Sequence, residues 1–414
     1  MSETVRPQHR TGLRAHLAGL RNRKSPDPPV AGTSTPVLRQ ALCLAFGTAS
    51  ALGFARFAYG LLLPAMRADL GWSSAAAGIP ATANGLGYLL GAAATPLLVR
   101  RLGPARAFRG AMILIAVTLA ATGSSGDFPL LLILRAGAGA AGAVVFISGG
   151  VIAAHLAARA GSGTPITVYF AGTGLGIIVS GIAVPLLGGH WQLAWLGLGV
   201  LAALAAAVSH RAAEAPAPVA AGGGRVRLRE LRPAVLAYLL FAGGYITYIT
   251  FLSAYLRDRS APDFQVVCVW VTLGLAVTIG PALWRGPIAH RPGNRVLAVV
   301  LATLSGGTAL ALISSDIAVA LAASAIYGAT FMTVPAVVTA IVEKHIPVAD
   351  WTPTLAACTA VFAAGQTVGP WAAGALADRF GATAPVLWTV LLCAFGSIVA
   401  ATQTLPPRNG EKTS

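Results

Sequence analysis

The sequence predicts an all-α membrane protein with twelve transmembrane helices in two pseudo-symmetric six-helix bundles. Three observations carry that expectation. Apolar types make up 56% of the 414 residues and charged types only 10%, against about 25% charged in a soluble domain. The few charges punctuate long apolar runs rather than spreading along the chain. The two halves of the chain also resemble each other at a nearly constant offset. Mean hydropathy is +0.73, so water is not the main solvent. A disordered chain and a secreted disulfide scaffold are both excluded. The four cysteines, Cys43, Cys268, Cys358 and Cys393, all fall inside apolar segments and are expected to be free thiols.

A spanning helix needs about 20 apolar residues. Span 1 (38–65) precedes Arg67, and span 2 (76–99) fills the uncharged run from Asp69 to Arg100. Span 3 (106–126) ends before Asp127, and span 4 (128–154) follows it. The uncharged run from Arg159 to Arg211 holds spans 5 (163–187) and 6 (191–209), with a turn near Gly188-Gly189-His190. Span 7 (233–256) ends before Arg257, and span 8 (264–284) before Arg285. Spans 9 (295–314) and 10 (316–342) meet near Asp316. Span 11 (352–377) ends before Asp378, and span 12 (382–405) closes the series. Strands of a membrane barrel would be about 10 residues long and alternating; these runs are longer and do not alternate. Residues 1–37 form a basic tail without an apolar h-region, expected to be disordered and not a cleavable signal. The expected organisation is a bundle over 38–209, a linker over 210–232, a second bundle over 233–405 and a tail over 406–414.

Net charge is +16 and the pI is near 10.8, a balance that in a soluble protein would raise nucleic acid as a partner. Placement explains it otherwise. With the N-terminus inside, 23 Lys and Arg fall in the tails and even-to-odd loops, and four (Arg67, Arg257, Arg259, Arg379) fall outside. That bias places both termini in the cytoplasm and makes nucleic-acid binding an unneeded explanation.

Residues 210–232 run through Ala-Pro-Ala-Pro and Gly-Gly-Gly to a basic end, and split the spans six plus six. A shift of 190 lays Arg101 on Arg291, Gly103 on Gly293, His155 on His345 and Arg67 on Arg257. A shift of 193 lays Gly172 and Gly176 on Gly365 and Gly369, and Trp195 on Trp388. Six spans preserve orientation, so the repeats are parallel, as in secondary transporters.

Loop 8–9 reads Gly286-Pro287-Ile288-Ala289-His290-Arg291-Pro292-Gly293-Asn294-Arg295, and loop 2–3 reads Pro96-Leu97-Leu98-Val99-Arg100-Arg101-Leu102-Gly103. Span 4 carries Arg135 followed four residues later by Gly139. Span 5 reads Gly172-Thr173-Gly174-Leu175-Gly176, and span 11 ends Gly374-Ala375-Leu376-Ala377-Asp378-Arg379-Phe380-Gly381. These motifs resemble those of the major facilitator superfamily. Its loop 2–3 signature is Gly-x-Leu-Ala-Asp-Arg-x-Gly-Arg-Lys, its span 4 carries an intramembrane Arg, and its exporters have a Gly-rich span 5. The resemblance covers 38–405. Gly53-Phe54-Ala55-Arg56-Phe57-Ala58-Tyr59-Gly60-Leu61-Leu62-Leu63-Pro64 in span 1 is similar to the start of the YbfB/YjiJ subgroup of bacterial facilitators. The resemblance implies the facilitator fold, a bacterial inner membrane and an alternating-access transporter. Both signature loops depart from it: Arg100 and His290 stand where the family has an aspartate that helps lock the outward-facing state. The end of span 11 looks like that signature, yet the span count puts it outside.

Arg56 is the most informative residue. A charge in hydrocarbon costs about 2.5–3.5 kcal/mol on insertion scales, and Arg56 lies too deep in span 1 to snorkel easily. It is expected to face the bundle interior, either as an anion-binding point or as an Arg satisfied by helix-end carbonyls or by a neighbouring span. Gly53, Arg56 and Gly60, with Tyr59, are read as one helical face. Arg135 lies at similar depth, so the two guanidiniums could clamp one carboxylate or phosphate; the resemblance also gives Arg135 a proton-coupling or packing role. All thirteen Asp and Glu fall in tails, loops or span ends, which favours a solute that brings its own negative charge. Asn84, Tyr245, Tyr248, Tyr327 and Gln366 complete a mildly polar translocation path, with Tyr245 and Tyr248 on one face. Gly172 and Gly176, with Gly365 and Gly369, are read as ladders for close packing of spans 5 and 11 across the pseudo-twofold. Arg101, Gly103, Arg291 and Gly293 are the conformational motif positions.

No metal-ligand cluster, catalytic triad or phosphate-binding loop occurs in the sequence, so no cofactor, no metal and no enzymatic activity are expected. The expected function is secondary active transport of a small organic solute, an organic anion being the candidate, by rocker-switch alternating access. The partners are that solute, the lipid bilayer and protons as a candidate coupling ion, with the protein a monomer. The competing reading is a non-transporting sensor or scaffold on the same fold.

Overall fold

The computed structural model describes residues 35–214, 224–314 and 316–402. Residues 1–34 of the expected tail over 1–37, the tail at 406–414 and the middle of the linker lie outside the described residues; Thr35, Pro36 and Val37 already belong to the first helix. Twelve long helices follow one another. They are α1 (Thr35–Leu70), α2 (Ser74–Leu102), α3 (Pro104–Thr122), α4 (Phe128–Ala160), α5 (Thr164–Ala183), α6 (Trp191–His210), α7 (Arg232–Asp258), α8 (Asp263–His290), α9 (Gly293–Ile313), α10 (Ile317–His345), α11 (Trp351–Phe380) and α12 (Ala384–Ala401). Every expected span is present, and the polar residues that separate spans in the sequence start helices in space. Asp127 accepts from the Leu130 N–H (2.8 Å) and Asp316 from the Ala318 N–H (2.7 Å), satisfying donors that a helix start leaves open. Gly71 ends α1 at φ 65, a left-handed conformation that glycine adopts without steric cost.

Two helices depart from uniform α geometry. The middle of α1, Ala49–Phe57, is a π-helix, and α10 breaks at Met332 between Ile317–Phe331 and Thr333–His345. Ten of the twelve helices are long and apolar enough to cross a membrane by hydropathy. The two that fall short are α2 and α11, rich in Ala, Gly, Thr and Pro. They pack on each other, so the reduced hydropathy belongs to the pair that buries one face in protein.

The same packing scheme recurs in both halves. α2 packs on α4 as α8 does on α10, α1 on α5 as α7 on α11, and α3 on α6 as α9 on α12. Gln40 at the start of α1 donates to the Ala212 carbonyl beyond α6 (2.9 Å), and Arg109 of α3 donates to His210 and Ala213 (2.8 and 3.1 Å). Helix starts and ends therefore gather at one end, here the terminus end; the opposite end is the distal end. The most extensive contacts between the halves are those of α2 with α11, α5 with α8, and the Ala58–Leu70 part of α1 with α7. On the α5/α8 seam a Cβ at Gly174 would meet Gly274 and Thr278, and one at Gly274 would meet Gly174 and Ile178. Reciprocal glycines let the two backbones touch there.

The glycine ladders serve a different contact from the expected one. A Cβ at Gly172 would meet Ala45 and Thr48 of α1, and one at Gly176 would meet Ala49 and Gly53. Gly365 and Gly369 meet Leu239, Ala242 and Gly243 of α7 in the same way. The ladders thus hold each half together, while the neighbouring face of α5 crosses to the other half.

The end of the linker is fastened to the second half. Leu228–Leu231 forms a 3-10 turn, and Asp350 accepts from the Arg225 backbone N–H (2.7 Å) and from the Arg227 guanidinium. Those two donors hold the Asp350 carboxyl below the ordinary carboxylate range. The four cysteines are free thiols.

Candidate functional site at the junction of the halves

The site begins with the π-helix. In a π-helix the N–H of residue i+5, not i+4, bonds to carbonyl i, and such turns gather at functional positions. The wider turn rotates α1 side chains away from the faces that α-spacing assigns. Gly53 therefore faces Gly176 of α5, Gly60 faces Ile249 of α7, and Arg56 turns to α11. They do not share one face.

Arg56 Nη2 donates to Gln366 Oε1 at 2.6 Å, and the Tyr245 hydroxyl donates to the same oxygen at 3.0 Å. Two donors on one atom fix which way the amide points. The bond joins the first half to the second within the bundle interior, with Arg56 7% and Gln366 0% exposed. The guanidinium also sits 5.1 Å from the Tyr88 ring centroid, a cation–π contact. Among the described residues its partners are neutral: the three ion pairs there involve only Arg227 and Arg257. Arg56 Nε and Gln366 Nε2 have no hydrogen-bond partner among the described residues.

Arg135 is separate from that pair. Its Nη2 donates to the Ala55 carbonyl (2.5 Å), and its guanidinium lies over Trp195 (4.8 Å) and Tyr59 (5.4 Å). Asn84 donates to the Arg135 carbonyl (3.1 Å) and, at 3.5 Å, to that of Ala55. Tyr59 donates to Ala77 of α2 (2.6 Å). Tyr59, Asn84 and Arg135 thus form a network that fixes the backbone immediately before Arg56, while the Arg56 guanidinium reaches across to the other half.

In the second half Tyr245 and Tyr248 diverge. Tyr245 faces Gln366, whereas Tyr248 packs on Tyr327 (4.4 Å between centroids), whose hydroxyl donates to the Tyr245 carbonyl (2.6 Å). Around Tyr245 lie Phe241 (4.8 Å), Phe362 (5.4 Å) and Phe331 (5.9 Å), all with near-parallel rings. Tyr238 stacks on Phe362 at 4.9 Å, and Phe57 of α1 meets Phe331 edge-on at 5.9 Å. Tyr88 and this aromatic wall are absent from the sequence-based site. The spacing of Tyr238, Phe241 and Tyr245, three and then four apart on α7, is the signal that points to a common face.

The motif positions have local steric reasons. Gly103 caps α2 at φ 81, and a Cβ on Gly293 would run into Ile341 of α10. Arg101 and Arg291 are exposed beside them. His155 and His345 each bond through Nδ1 to the carbonyl four residues back, at 2.8 and 2.9 Å.

A protein-family comparison matches residues 48–404 to the family described as "Uncharacterised MFS-type transporter YbfB". No curated protein sequence is similar to this one at a significant level. Among solved structures, a single-substitution mutant of the nucleoside transporter NupG is similar at 13% identity with a TM-score of 0.70, covering 88% of this chain and 98% of that one. Unsubstituted NupG gives 14% identity, a TM-score of 0.66, and coverage of 88% and 97%. At that identity the likeness is one of fold.

Proposed function

From the premise that the chain belongs to the major facilitator superfamily, in the YbfB transporter family, we propose that it is a secondary active transporter of a small organic anion. The single observation that carries the anion is Arg56: a buried guanidinium on the boundary between the halves, bonded to a neutral amide and to no acid among the described residues. An amide oxygen satisfies one N–H but leaves the charge uncompensated. A carboxylate compensates the charge and commonly pairs with Arg in bidentate fashion. Nε and Nη2 form one edge of the guanidinium; Nη2 holds Gln366 and Nε is open. A solute carboxylate on that edge takes the place of the Gln366 oxygen and leaves Gln366 with Tyr245.

The bridge between α1 and α11 then runs through the solute, and the halves are free to rock about it. Arg135 acts one step back, by holding the Ala55 carbonyl and so the direction of Arg56. Both termini are cytoplasmic in this reading, on the Lys and Arg bias, in a bacterial inner membrane, with a monomer as the working unit. Protons are the candidate coupling ion, but every carboxylate in the sequence lies in tails, loops or span ends, so a relay of buried acids does not carry them.

The test is a thermal-shift screen of purified protein across carboxylates, sugars and cationic drugs. A ligand at 100 times its Kd stabilises by about 2.7 kcal/mol, so binding reads directly as a rise in Tm. Carboxylates are expected to raise Tm in the wild type and not in Arg56→Ala, with Arg56→Lys intermediate because the fork is lost. Stabilisation by sugars or cations alone, or a carboxylate shift that survives Arg56→Ala, overturns the anion reading. Carboxylate binding without flux in proteoliposomes would favour the non-transporting sensor.

A further inference from the structure

The signature-like end of α11 makes a contact that the transport reading leaves unused. The Asp378 carboxylate accepts from the Ser74 N–H at 2.7 Å and from the Ala75 N–H at 2.9 Å. Ser74 and Ala75 are the first two residues of α2, in the other half of the molecule. The next N–H, of Ala76, goes to the Ser73 hydroxyl at 3.2 Å. Three of the donors that a helix start leaves open are therefore satisfied, two of them by an acid from across the seam. The carboxylate also meets the positive end of the helix dipole. The fit is built in: one turn before Asp378, a Cβ on Gly374 would collide with the Ser74 carbonyl, and one further turn inward Gly78 lies against Pro370.

Neither signature loop at the terminus end offers such an acid, because Arg100 and His290 occupy its place. On the pseudo-equivalent distal seam, between α5 and α8, the sequence offset puts Pro185 where α11 has Asp378. The acid that opens α8, Asp263, pairs with Arg257 of its own half at 2.8 Å. There a groove of about 360 Å³ runs between the halves, lined among others by Leu61, Pro64, Val184, Arg257 and Val266.

We propose that Asp378 is a conformational latch: it closes the distal end of the α2/α11 seam and biases the transporter towards the state open at the terminus end. Opening the distal end breaks both bonds at once and hands the Ser74 and Ala75 N–H groups to water. The contact lies at the mouth of the seam, partly exposed, so water replaces it at modest cost and the bias stays adjustable. The family's aspartate lock is thereby moved to the other face of the membrane. This inference does not depend on the identity of the solute or on Arg56.

The test needs no ligand. In a background with the four native cysteines replaced, Thr82→Cys places a thiol on α2 between Gly78 and Gly85, which face Pro370 and Thr367 of α11. The rate at which an impermeant maleimide reaches it from the distal side measures opening of the seam. Asp378→Asn keeps the size and removes the charge. Ser74→Pro removes one donor; proline is accepted at the first helical position, and Ser73 already has the extended backbone (φ −66, ψ 167) that precedes a proline. Loss of a charge at a helix start corresponds to about a two- to fivefold change in an equilibrium. Asp378→Asn is expected to raise the labelling rate by that factor and Ser74→Pro by less. Unchanged or slower labelling in both variants overturns the latch. Ser74→Pro keeps the question answerable if Asp378→Asn fails to fold.

Discussion

Each half sends one side chain from its fourth helix to the backbone of its first, and the two halves do it differently. In the first half Arg135 of α4 donates to the Ala55 carbonyl at 2.5 Å. In the second half Tyr327 of α10 donates to the Tyr245 carbonyl at 2.6 Å. The carbonyls lie 190 residues apart and the donors 192, so the contacts are counterparts in the repeat. The helices they serve are not alike, since α1 is a π-helix at that level and α7 is continuous. Tyr327 is a neutral group that needs one acceptor and finds it. Arg135 brings a charge with five donors, of which Nε and Nη1 have no partner among the described residues. A buried ion costs several kcal/mol, offset here by one hydrogen bond and by the faces of Trp195 and Tyr59. A phenol would hold the backbone at lower cost. The comparison teaches that holding the first helix's backbone does not by itself require the charge that Arg135 brings beside Arg56.

The largest effect is expected from Arg135→Met. If the charge is retained for function, carboxylate binding and flux fall by an order of magnitude or more, while stability holds or rises by about 1–4 kcal/mol, as when other buried ionic groups become apolar. A clear fall in Tm measured by thermal unfolding would make Arg135 a stabiliser and break the comparison. A double-mutant cycle with Arg56→Ala sharpens it. Residues acting on one site couple by about 0.5–3 kcal/mol, and strict additivity in carboxylate affinity would separate their roles. Next in size is Tyr327→Phe, which removes one buried hydrogen bond, a loss of about 1 kcal/mol. Stability should fall by that amount with carboxylate affinity unchanged; the opposite pattern would place Tyr327 in the path. The smallest change belongs to Trp195→Phe, which keeps an aromatic face under Arg135 but weakens the cation–π contact and drops the N–H bond to Met66 Sδ (3.4 Å). A loss of less than about 1 kcal/mol in carboxylate affinity is expected, and a larger loss of affinity would show that the ring, not the Ala55 carbonyl, is the main support of Arg135.

Much of the fold is legible in the sequence, because hydropathy and charge placement act residue by residue. The twelve helices follow from apolar runs closed by residues such as Asp127, Asp316 and Arg257. The repeat follows from Arg101, Gly103 and their counterparts. The singular status of Arg56 and Arg135 follows from the cost of charge in hydrocarbon. What is not legible depends on geometry. No composition signals that Ala49–Phe57 bonds as a π-helix, and the faces assigned to Gly53, Arg56, Tyr59 and Gly60 fail with the α-spacing they assume. The pairing of Arg56 with Gln366 spans 310 residues, a distance over which local pattern carries no information. Gly172 and Gly176 announce close packing but not the partner, since a small residue fits any neighbour. Asp378 reads as a polar residue at a span end until α2 is set beside it.

The anchoring of the linker changes what the covalent connection between the halves is for. From Gly224 onward the chain is held to the second half: Gly224 lies against Ala349, Arg225 and Arg227 hold Asp350, and the Arg227 N–H donates to Thr354 Oγ1 at 3.2 Å. On the other side, Arg109 and Gln40 pin the chain through Ala213. The described ends of the linker are therefore fastened each to its own half, and none of these bonds crosses from one half to the other. Severing the connection between those two anchors is expected to leave the anchored contacts intact and to lower the effective concentration at which one half meets the other, as between two subunits.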